Sequence, residues 1–204
     1  MPDFFVLYGG TAIALHLGHR QSEDFDLFPD RDIDPGRILA EMPFLRGART
    51  IQREPNTLTC IVDRDRPVKV SFFGLPNLAR IRTPLRAPGN HLKVADLLDL
   101  AGTKAAVVQQ RAQRKDYIDV DALMRQGGID LPSQLAAARM IYGAHFAPTP
   151  TLKALAYFED GDLPSLPEDV KRRLAQASAM VDPLRLPSLK RTARQPTHDK
   201  DAER

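Results

Sequence analysis

The stretch "LYGGTAIALHLGHRQSEDFDLF" (residues 7–28) decides the fold of this chain. It continues the apolar run "FFVLY" (4–8), which predicts a strand that stops at two glycines. Apolar residues then recur at helical spacing, and we expect Thr11 to cap this helix and Gly18 to end it. Because the strand begins so near the first residue, it is expected to be an edge strand or to lack an upstream helix.

Two aspartates, Asp24 and Asp26, stand in the segment "DFDLF" (24–28), where polar and apolar residues alternate. This alternation predicts a second strand, closed by Pro29, with both carboxylates on one face. Two such charges repel each other, and a divalent cation such as Mg²⁺ would remove that cost. The residues alone leave two readings open, a metal site and a solvent-facing strand next to a turn.

Gly9, Gly10 and Thr11 stand between the predicted strand and helix. Residues without a Cβ let a ligand approach the backbone, and the free N–H groups of a helix start attract phosphate. A tight turn that needs a positive φ explains the same residues. On the glycines alone, the turn is the better explanation.

Composition places the chain among ordinary globular proteins. It has 204 residues, 43% of them hydrophobic and 27% charged, which fits one domain, or one domain with a helical appendage. It contains no apolar run of about 18 residues and no secretory signal, so no membrane segment is predicted. The single Cys60 cannot form an internal disulfide, and a cytoplasmic location is expected. The net charge of +3 permits an acidic partner such as RNA or a nucleotide but does not require one.

The order of elements predicts an α+β fold, with a small mixed or antiparallel sheet followed by a helical half. "PGRILAEM" (35–42) predicts a short helix, and "TLTCIVDRDRPVKVSFFG" (57–74) predicts a hairpin. The segment 95–125 is helical, with a bend or break at Gly102 or "AQRKD" (112–116). Further helices are predicted at 133–142, 151–158 and 168–180. The predicted units are a core at 1–90, a helical half at 91–187 and a disordered tail at 188–204.

Taken together, the glycine turn, the helix and the aspartate pair are far more specific than any one of them. They resemble the DNA polymerase β-type nucleotidyltransferase superfamily, in which a Gly-Gly or Gly-Ser turn and a helix precede Asp-x-Asp on the next strand. More closely, "YGGTAIALHLGHRQSEDFDLF" (8–28) resembles the AbiEii/AbiGii toxin family of bacterial nucleotidyltransferases. "RAQRKDYIDVDAL" (111–123) resembles the second conserved block of that family.

The resemblance implies transfer of a nucleotidyl group from an NTP, such as ATP or GTP, with Mg²⁺ or Mn²⁺ as cofactor. Asp24 and Asp26 would be the metal ligands. The implied phosphate contacts are Gly9, Gly10 and Thr11. Arg20 and Ser22 would bind a phosphate or orient Asp24, although Arg20 would also fit a surface ion pair with Glu23 or another acid.

The second block adds basic residues to the predicted site. If the helix is continuous, Lys104, Arg111 and Lys115 fall on one stripe. The resemblance gives Lys104 a role on the NTP phosphates and puts Arg114, Lys115 and Asp116 at the rim of the cleft. A solvated helix face is the alternative reading of these basic residues. His16 and His19 lack the spacing of metal ligands and are expected to be structural.

The third carboxylate of the superfamily is missing, because its position in "VKVSFFG" (68–74) holds Ser71. Asp116 or Asp119 would serve as the missing base or would hold in place the residues that contact the substrate. The resemblance suggests tRNA as acceptor and a cognate antitoxin as partner, with no role for a membrane. The alternatives are a nucleotide-binding regulatory module without turnover and a protein-interaction domain.

Overall fold

In the computed structural model, which describes residues 2–192, one mixed sheet is followed by a group of helices, as the α+β prediction requires. The seven strands lie in the order β3-β4-β5-β2-β1-β7-β6. Their bounds are β1 Phe5–Tyr8, β2 Phe25–Pro29, β3 Arg49–Glu54, β4 Thr57–Asp63, β5 Pro67–Phe73, β6 Leu85–Arg86 and β7 Lys93–Val94.

Seven α-helices accompany the sheet within the described residues: α1 Gly9–Leu17, α2 Pro35–Glu41, α3 Leu97–Val107, α4 Arg114–Arg125, α5 Leu131–Tyr142, α6 Pro148–Ala154 and α7 Glu168–Met180. Short 3₁₀ helices occur at Pro43–Leu45, Gly143–His145 and Leu163–Ser165. Between residues 2 and 192, none of the helices has the length and apolar character needed to cross a bilayer.

The expectation that β1 is an edge strand is wrong. β1 pairs with β2 on one side, antiparallel, and with β7 on the other, parallel. All four of its residues are buried. A strand covered on both faces and paired on both edges can be apolar throughout, which explains the unbroken run "FVLY".

The two faces of the sheet differ sharply in chemistry. One row of paired residues, Leu7, Leu27, Phe72 and Leu58, is at most 1% exposed and forms the centre of the main hydrophobic core. The adjacent row points to the opposite face, because side chains alternate along each strand. That row contains Tyr8, Asp26, Ser71, Thr59 and Gln52. The sheet therefore carries a polar row above an apolar core.

The start of α1 differs from the prediction. The helix begins at Gly9 with Tyr8 in the capping position, so Thr11 lies inside the first turn and is not the cap. Gly18 ends the helix as predicted, with a φ of 63°. Only a residue without a Cβ adopts this left-handed conformation at little cost.

The long helical segment is split. α3 ends at Val107 and α4 begins at Arg114, so Lys104, Arg111 and Lys115 do not form one helical stripe. Of the two predicted break points, the "AQRKD" region is correct, whereas Gly102 lies within α3. The hairpin β4–β5, the helix α2 and the helices α5 and α7 match the predictions. The short helix α6 begins earlier than predicted, at Pro148, and ends at Ala154.

The helices bury side chains in two directions. Leu100, Ala101 and Leu123 pack into the core beneath the sheet. A second core lies among α3 to α7 and contains Tyr117 and Leu135. The sheet continues past residue 90, because β7 pairs with β1. The proposed division of the chain at that residue stays a prediction.

The predicted tail begins on the folded body. Leu189 packs against the small cluster of Ile81, Ala137 and Ile141, and the Thr192 N–H donates to the Ile81 carbonyl at 2.8 Å. Residues 188–192 are therefore part of the structure. The remainder of the predicted tail lies outside the described residues.

Candidate active site

A cleft of about 490 Å³ opens on the polar face of the sheet, against α3 and the start of α4. It brings together most residues that the sequence singled out. The first block (8–28) contributes Gly9, Gly10, Arg20, Ser22, Asp24 and Asp26, and the second block (111–123) contributes Arg111, Lys115 and Asp116. Lys104, on α3 between the two blocks, joins them. Thr11, Arg114 and Asp119 are not among its lining residues.

The backbone conformation at Gly9 favours glycine, and both glycines lie close to side chains of the cleft. Gly9 has a φ of 72°, and a Cβ built on it would collide with Oδ2 of Asp26. A Cβ on Gly10 would collide with Nη2 of Arg20. The tight-turn explanation is thus correct for Gly9. The missing Cβ atoms also bring the first turn of α1 against a carboxylate and a guanidinium, so both glycines border the cleft.

Asp24 and Asp26 both face the cleft, but their charges are compensated unequally. The closest cations contact Asp24: its Oδ2 lies 3.1 Å from Lys69 Nζ and 3.5 Å from Lys115 Nζ. Burial raises the pKa of the Asp26 carboxyl, Lys69 offsets this only in part, and the charge of Asp24 adds to it. A carboxylate that is costly to ionise beside a second one attracts a cation from solution.

The donor set fits Mg²⁺ bound together with a nucleotide. The described residues contain no group of three or more His, Cys, Asp or Glu side chains arranged to hold a metal. Mg²⁺ is commonly held by one or two carboxylates, with substrate phosphates and water completing its coordination. Asp24 and Asp26 offer that pair, and the lysines next to Asp24 suit the phosphates.

Ser71, which the sequence put at the position of the third carboxylate, lies on the strand next to Asp26, and its equivalence to that carboxylate stays a prediction. Ser71 pairs with Asp26 across β5 and β2 and is 2% exposed. Thr59 and Gln52 continue the row across β4 and β3, and both line the cleft. The surface beside Asp26 is therefore neutral and polar. Asp63 lies at the far end of β4, opposite Pro67.

A second pair of aspartates lies behind the cleft, fully buried on α4. Lys104 Nζ is 2.7 Å from Asp116 Oδ1 and 2.9 Å from Asp119 Oδ2. Arg111 holds the other oxygen of Asp116, with Nε 2.7 Å from Oδ2. The break between α3 and α4 lets Arg111 fold back onto Asp116, five residues ahead.

Asp119 ties the first block of the sequence to α4. Arg20 donates two hydrogen bonds to it, from Nε to Oδ1 at 2.7 Å and from Nη2 to Oδ2 at 2.9 Å. His19 Nε2 lies 2.7 Å from the same Oδ1. Of the partners offered for an ion pair with Arg20, Glu23 is wrong because it pairs with Arg66, and another acid, the buried Asp119, takes that place.

These cations decide the protonation of both buried aspartates. Burial alone would raise the pKa of each. For Asp119, hydrogen bonds from His19 and Arg20 together with the Lys104 charge outweigh burial and hold the pKa well below its usual range. For Asp116, Lys104 and Arg111 do the same. Carboxylates with lowered pKa values and 0% exposure are poor proton acceptors for a substrate.

Thr11 and Ser22 hold the backbone before Asp26. The Thr11 hydroxyl hydrogen-bonds the Asp24 carbonyl oxygen and lies 2.9 Å from Ser22 Oγ. Thr11 is 5% exposed. Its hydroxyl thus fixes the approach of the chain to β2, and the phosphate contact that the resemblance implied for Thr11 stays a prediction.

The sequence analysis missed Lys69 as a cleft residue, and it expected His19 to be structural without identifying its partner. Lys69 stands two residues before Ser71, so strand alternation alone was enough to place it on the polar face. His19 carried no such signal, because its partner Asp119 is 100 residues away. Within the described residues, His19 Nδ1 is buried without a hydrogen-bond partner.

A basic depression of about 530 Å³ lies next to the cleft and shares Arg20 and Lys115 with it. Gln113, Arg114 and Ile118 complete it together with Asp162, whose Oδ1 accepts the Arg114 N–H at 2.6 Å. Arg114 therefore lies on a surface beside the cleft, as a rim residue would.

The chain matches a known protein family and is similar to individual known proteins. The family described as "Nucleotidyl transferase AbiEii toxin, Type IV TA system" matches residues 2–200. Uncharacterized protein aq_aa25 of Aquifex aeolicus (strain VF5) is 32% identical over 158 residues, which cover 76% of this chain and 74% of the relative. The crystal structure of the Megavirus polyadenylate synthase overlays on 63% of this chain with a TM-score of 0.46 and 9% identity. That overlay spans only 29% of the viral protein.

Proposed function

Because this chain belongs to the AbiEii nucleotidyl transferase toxin family, we propose that it transfers a nucleotidyl group from an NTP to a nucleic-acid acceptor with the help of Mg²⁺. The observation that carries this proposal is the set of charges in the cleft. Two carboxylates, Asp24 and Asp26, face the glycines at the start of α1 and several cations in the same opening, and burial raises the pKa of Asp26.

The phosphates of the NTP are assigned to the basic side of the cleft. The first turn of α1 offers backbone N–H groups at Gly9 and Gly10. Arg111, Lys115 and Lys69 add positive charge from the helical side and from β5. Mn²⁺ is expected to replace Mg²⁺, since both prefer oxygen ligands.

Asp24 and Asp26 would hold the metal. When bound, the ion neutralises phosphate charge and polarises the reacting phosphoryl group. Because the protein is folded around fixed carboxylates, little reorganisation is needed when the nucleotide arrives.

Asp116 and Asp119 are assigned as positioning residues. They orient Lys104, Arg111 and Arg20 towards the cleft through short ion pairs. Their burial and lowered pKa values argue against the role of general base that the sequence left open. Lys104, which is 5% exposed, lines the cleft between them and the glycine turn.

The acceptor is proposed to be tRNA. The basic depression beside the cleft supports this, because Arg20, Arg114 and Lys115 give a polyanion a continuous path to Asp24. The family description names a toxin–antitoxin system, and from it we infer a cognate antitoxin and a bacterial cytoplasmic setting.

Incubation with each labelled NTP, Mg²⁺ and total tRNA tests the proposal. Label transfer is expected for the wild-type protein and is expected to be lost in Asp24→Ala. Asp63→Ala is the matched control, because Asp63 is an exposed aspartate at the far end of β4. Transfer that survives Asp24→Ala contradicts the proposed site.

The regulatory module remains the second candidate, and Ser71 is the observation that favours it. Saturable NTP binding without transfer to any RNA supports that candidate and contradicts the proposed enzyme. A wild-type protein that binds no nucleotide contradicts both and leaves the protein-interaction domain.

A further inference from the structure

The cleft changes its chemistry along the strands. β2 and β5 run parallel, so their residues form successive rows about 7 Å apart. Asp24 lies beside Lys69 at the first level, and Asp26 beside Ser71 at the second. Two residues further along each strand are Phe28 and Phe73, whose ring centroids are 5.3 Å apart. All six residues line the same cleft.

The far level is an apolar wall. Tyr8 packs edge-on against Phe28, with ring centroids 5.1 Å apart. Leu75 and Leu78 follow directly after β5, and both line the cleft. Leu75 is 44% exposed, so this wall is open to a ligand.

Tyr142, at the end of α5, closes the apolar wall from the helical side. It packs with Leu78 on the small core around Ile81 and also lines the cleft. Burial raises the pKa of its phenol, so this end presents a neutral hydroxyl. The charged lining residues belong to the other levels, and those of the apolar wall are all uncharged.

We propose that this apolar wall, formed by Phe28, Phe73, Leu75, Leu78 and Tyr142, is the subsite for the nucleobase of the NTP. The inference rests on the proposed function and extends it to the part of the nucleotide that the phosphate and metal residues do not contact. A planar base covers apolar surface that water otherwise solvates, and stacking on aromatic rings adds attraction.

The neutral row between the two ends suits a ribose. Ser71, Thr59 and Gln52 stand between the level of Asp24 and the level of Phe73. They provide two hydroxyls and one amide beside Asp26, and a sugar hydroxyl can hydrogen-bond with each. Ser71, which stands in place of the third carboxylate, thereby contributes to ribose binding.

An apolar wall predicts weak selectivity among bases. Every base has a flat apolar face, whereas selection among bases needs several directed hydrogen-bonding groups. The subsite therefore accepts more than one NTP and makes ATP bind more tightly than a triphosphate without a base.

Equilibrium binding of two probes tests the subsite, ATP and inorganic tripolyphosphate, each with Mg²⁺. Leu75→Ala and Phe73→Ala are expected to weaken ATP binding on the order of tenfold and to leave tripolyphosphate binding unchanged. Leu75→Ala covers the case in which Phe73→Ala fails to fold, since Leu75 is exposed. Leu184→Ala is the matched control, because Leu184 is 88% exposed and does not line the cleft.

The outcomes separate the two proposals. If wild-type protein binds ATP no more tightly than tripolyphosphate, or if both leucine and phenylalanine variants bind ATP normally, the subsite is overturned while the proposed function stands. If wild-type protein binds neither probe, the proposed function fails and the subsite fails with it. Equal weakening of both probes by Leu75→Ala also overturns the subsite, because the effect then does not depend on the base.

Discussion

Two pairs of aspartates, one on each side of the cleft, have opposite surroundings. Asp24 and Asp26 lie on the sheet side, where lysines reach only Asp24 and burial raises the pKa of Asp26. Asp116 and Asp119 lie on α4 at 0% exposure, held by a lysine, two arginines and a histidine. Their pKa values are lowered.

The difference shows how one residue type serves two purposes. A buried carboxylate is costly unless cations and hydrogen bonds compensate it. Around Asp116 the protein supplies that compensation, so the pair is complete and holds the helices and the first block together. Around Asp26 the compensation is incomplete, and the natural partner is a ligand. Sequence spacing alone, i to i+2 and i to i+3, does not separate the two cases.

The largest expected effect is on stability, at the pair Asp116 and Asp119, whose charges are fully compensated (the complete pair). Lys104→Met leaves two buried carboxylates short of a cation and is expected to lower the free energy of unfolding by about 3–5 kcal/mol. Lys69→Met is the matched control at the incomplete pair. Because Lys69 is partly exposed, its removal is expected to cost less than about 1 kcal/mol. Urea unfolding midpoints measure both, and equal losses would contradict the distinction between the pairs.

The next effect is on activity, at the pair Asp24 and Asp26, whose charges are only partly compensated (the incomplete pair). Asp26→Asn is expected to reduce nucleotidyl transfer at least about 100-fold, since even residues that only support metal ligands change activity by 10–100-fold. The melting temperature in metal-free buffer is expected to stay the same or rise, because the variant removes a charge that burial disfavours. Transfer assays and thermal unfolding on the same preparation measure the two results.

A matched variant sharpens this second prediction. Asp121→Ala removes another aspartate of α4, one that binds Arg173 of α7 at 2.7 and 2.8 Å, away from the cleft. It is expected to lower stability and to leave NTP affinity unchanged. If Asp26→Asn loses stability as Asp121→Ala does, Asp26 is a structural residue.

Much of the fold was readable in the sequence because its signals are local. The hairpin β4–β5, the Gly18 stop and the alternation of β2 follow from neighbouring residues. The Asp24–Asp26 pair and Ser71 were placed correctly relative to each other because strand alternation and a known motif fix them.

The rest depended on contacts between distant residues. The sequence left an edge position open for β1, because β7, a strand of two residues, carries too short a pattern to detect. The ion pairs of Asp119 join residues about 100 positions apart, and no local pattern predicts them. The interruption between α3 and α4 brings Arg111 and Lys104 together around Asp116, although the sequence predicted a stripe along one helix. Only the path of residues 108–113 shows this arrangement.

The third prediction concerns the stability of the protein at low pH. The lowered pKa values of Asp116 and Asp119 mean that the unfolded chain takes up protons before the folded protein does. Their contribution to stability is therefore complete above an unfolded pKa of about 4 and is lost as pH falls below it. Urea unfolding between about pH 2 and pH 6 is expected to show a decline that Asp119→Asn makes shallower. An unchanged slope in that variant would show that Asp119 is not the source of the decline.

The smallest expected effect distinguishes holding the backbone from binding phosphate. Thr11→Val removes the hydroxyl that bonds the Asp24 carbonyl, and a lost hydrogen bond of this kind costs about 1 kcal/mol. Thr11→Ser keeps the hydroxyl and is expected to unfold close to wild type. If Thr11 instead contacts the triphosphate, Thr11→Val will weaken tripolyphosphate binding without lowering the unfolding midpoint. A lower midpoint in Thr11→Val, restored in Thr11→Ser, would mean that the incomplete pair is positioned through its backbone, whereas the complete pair is positioned through its side chains.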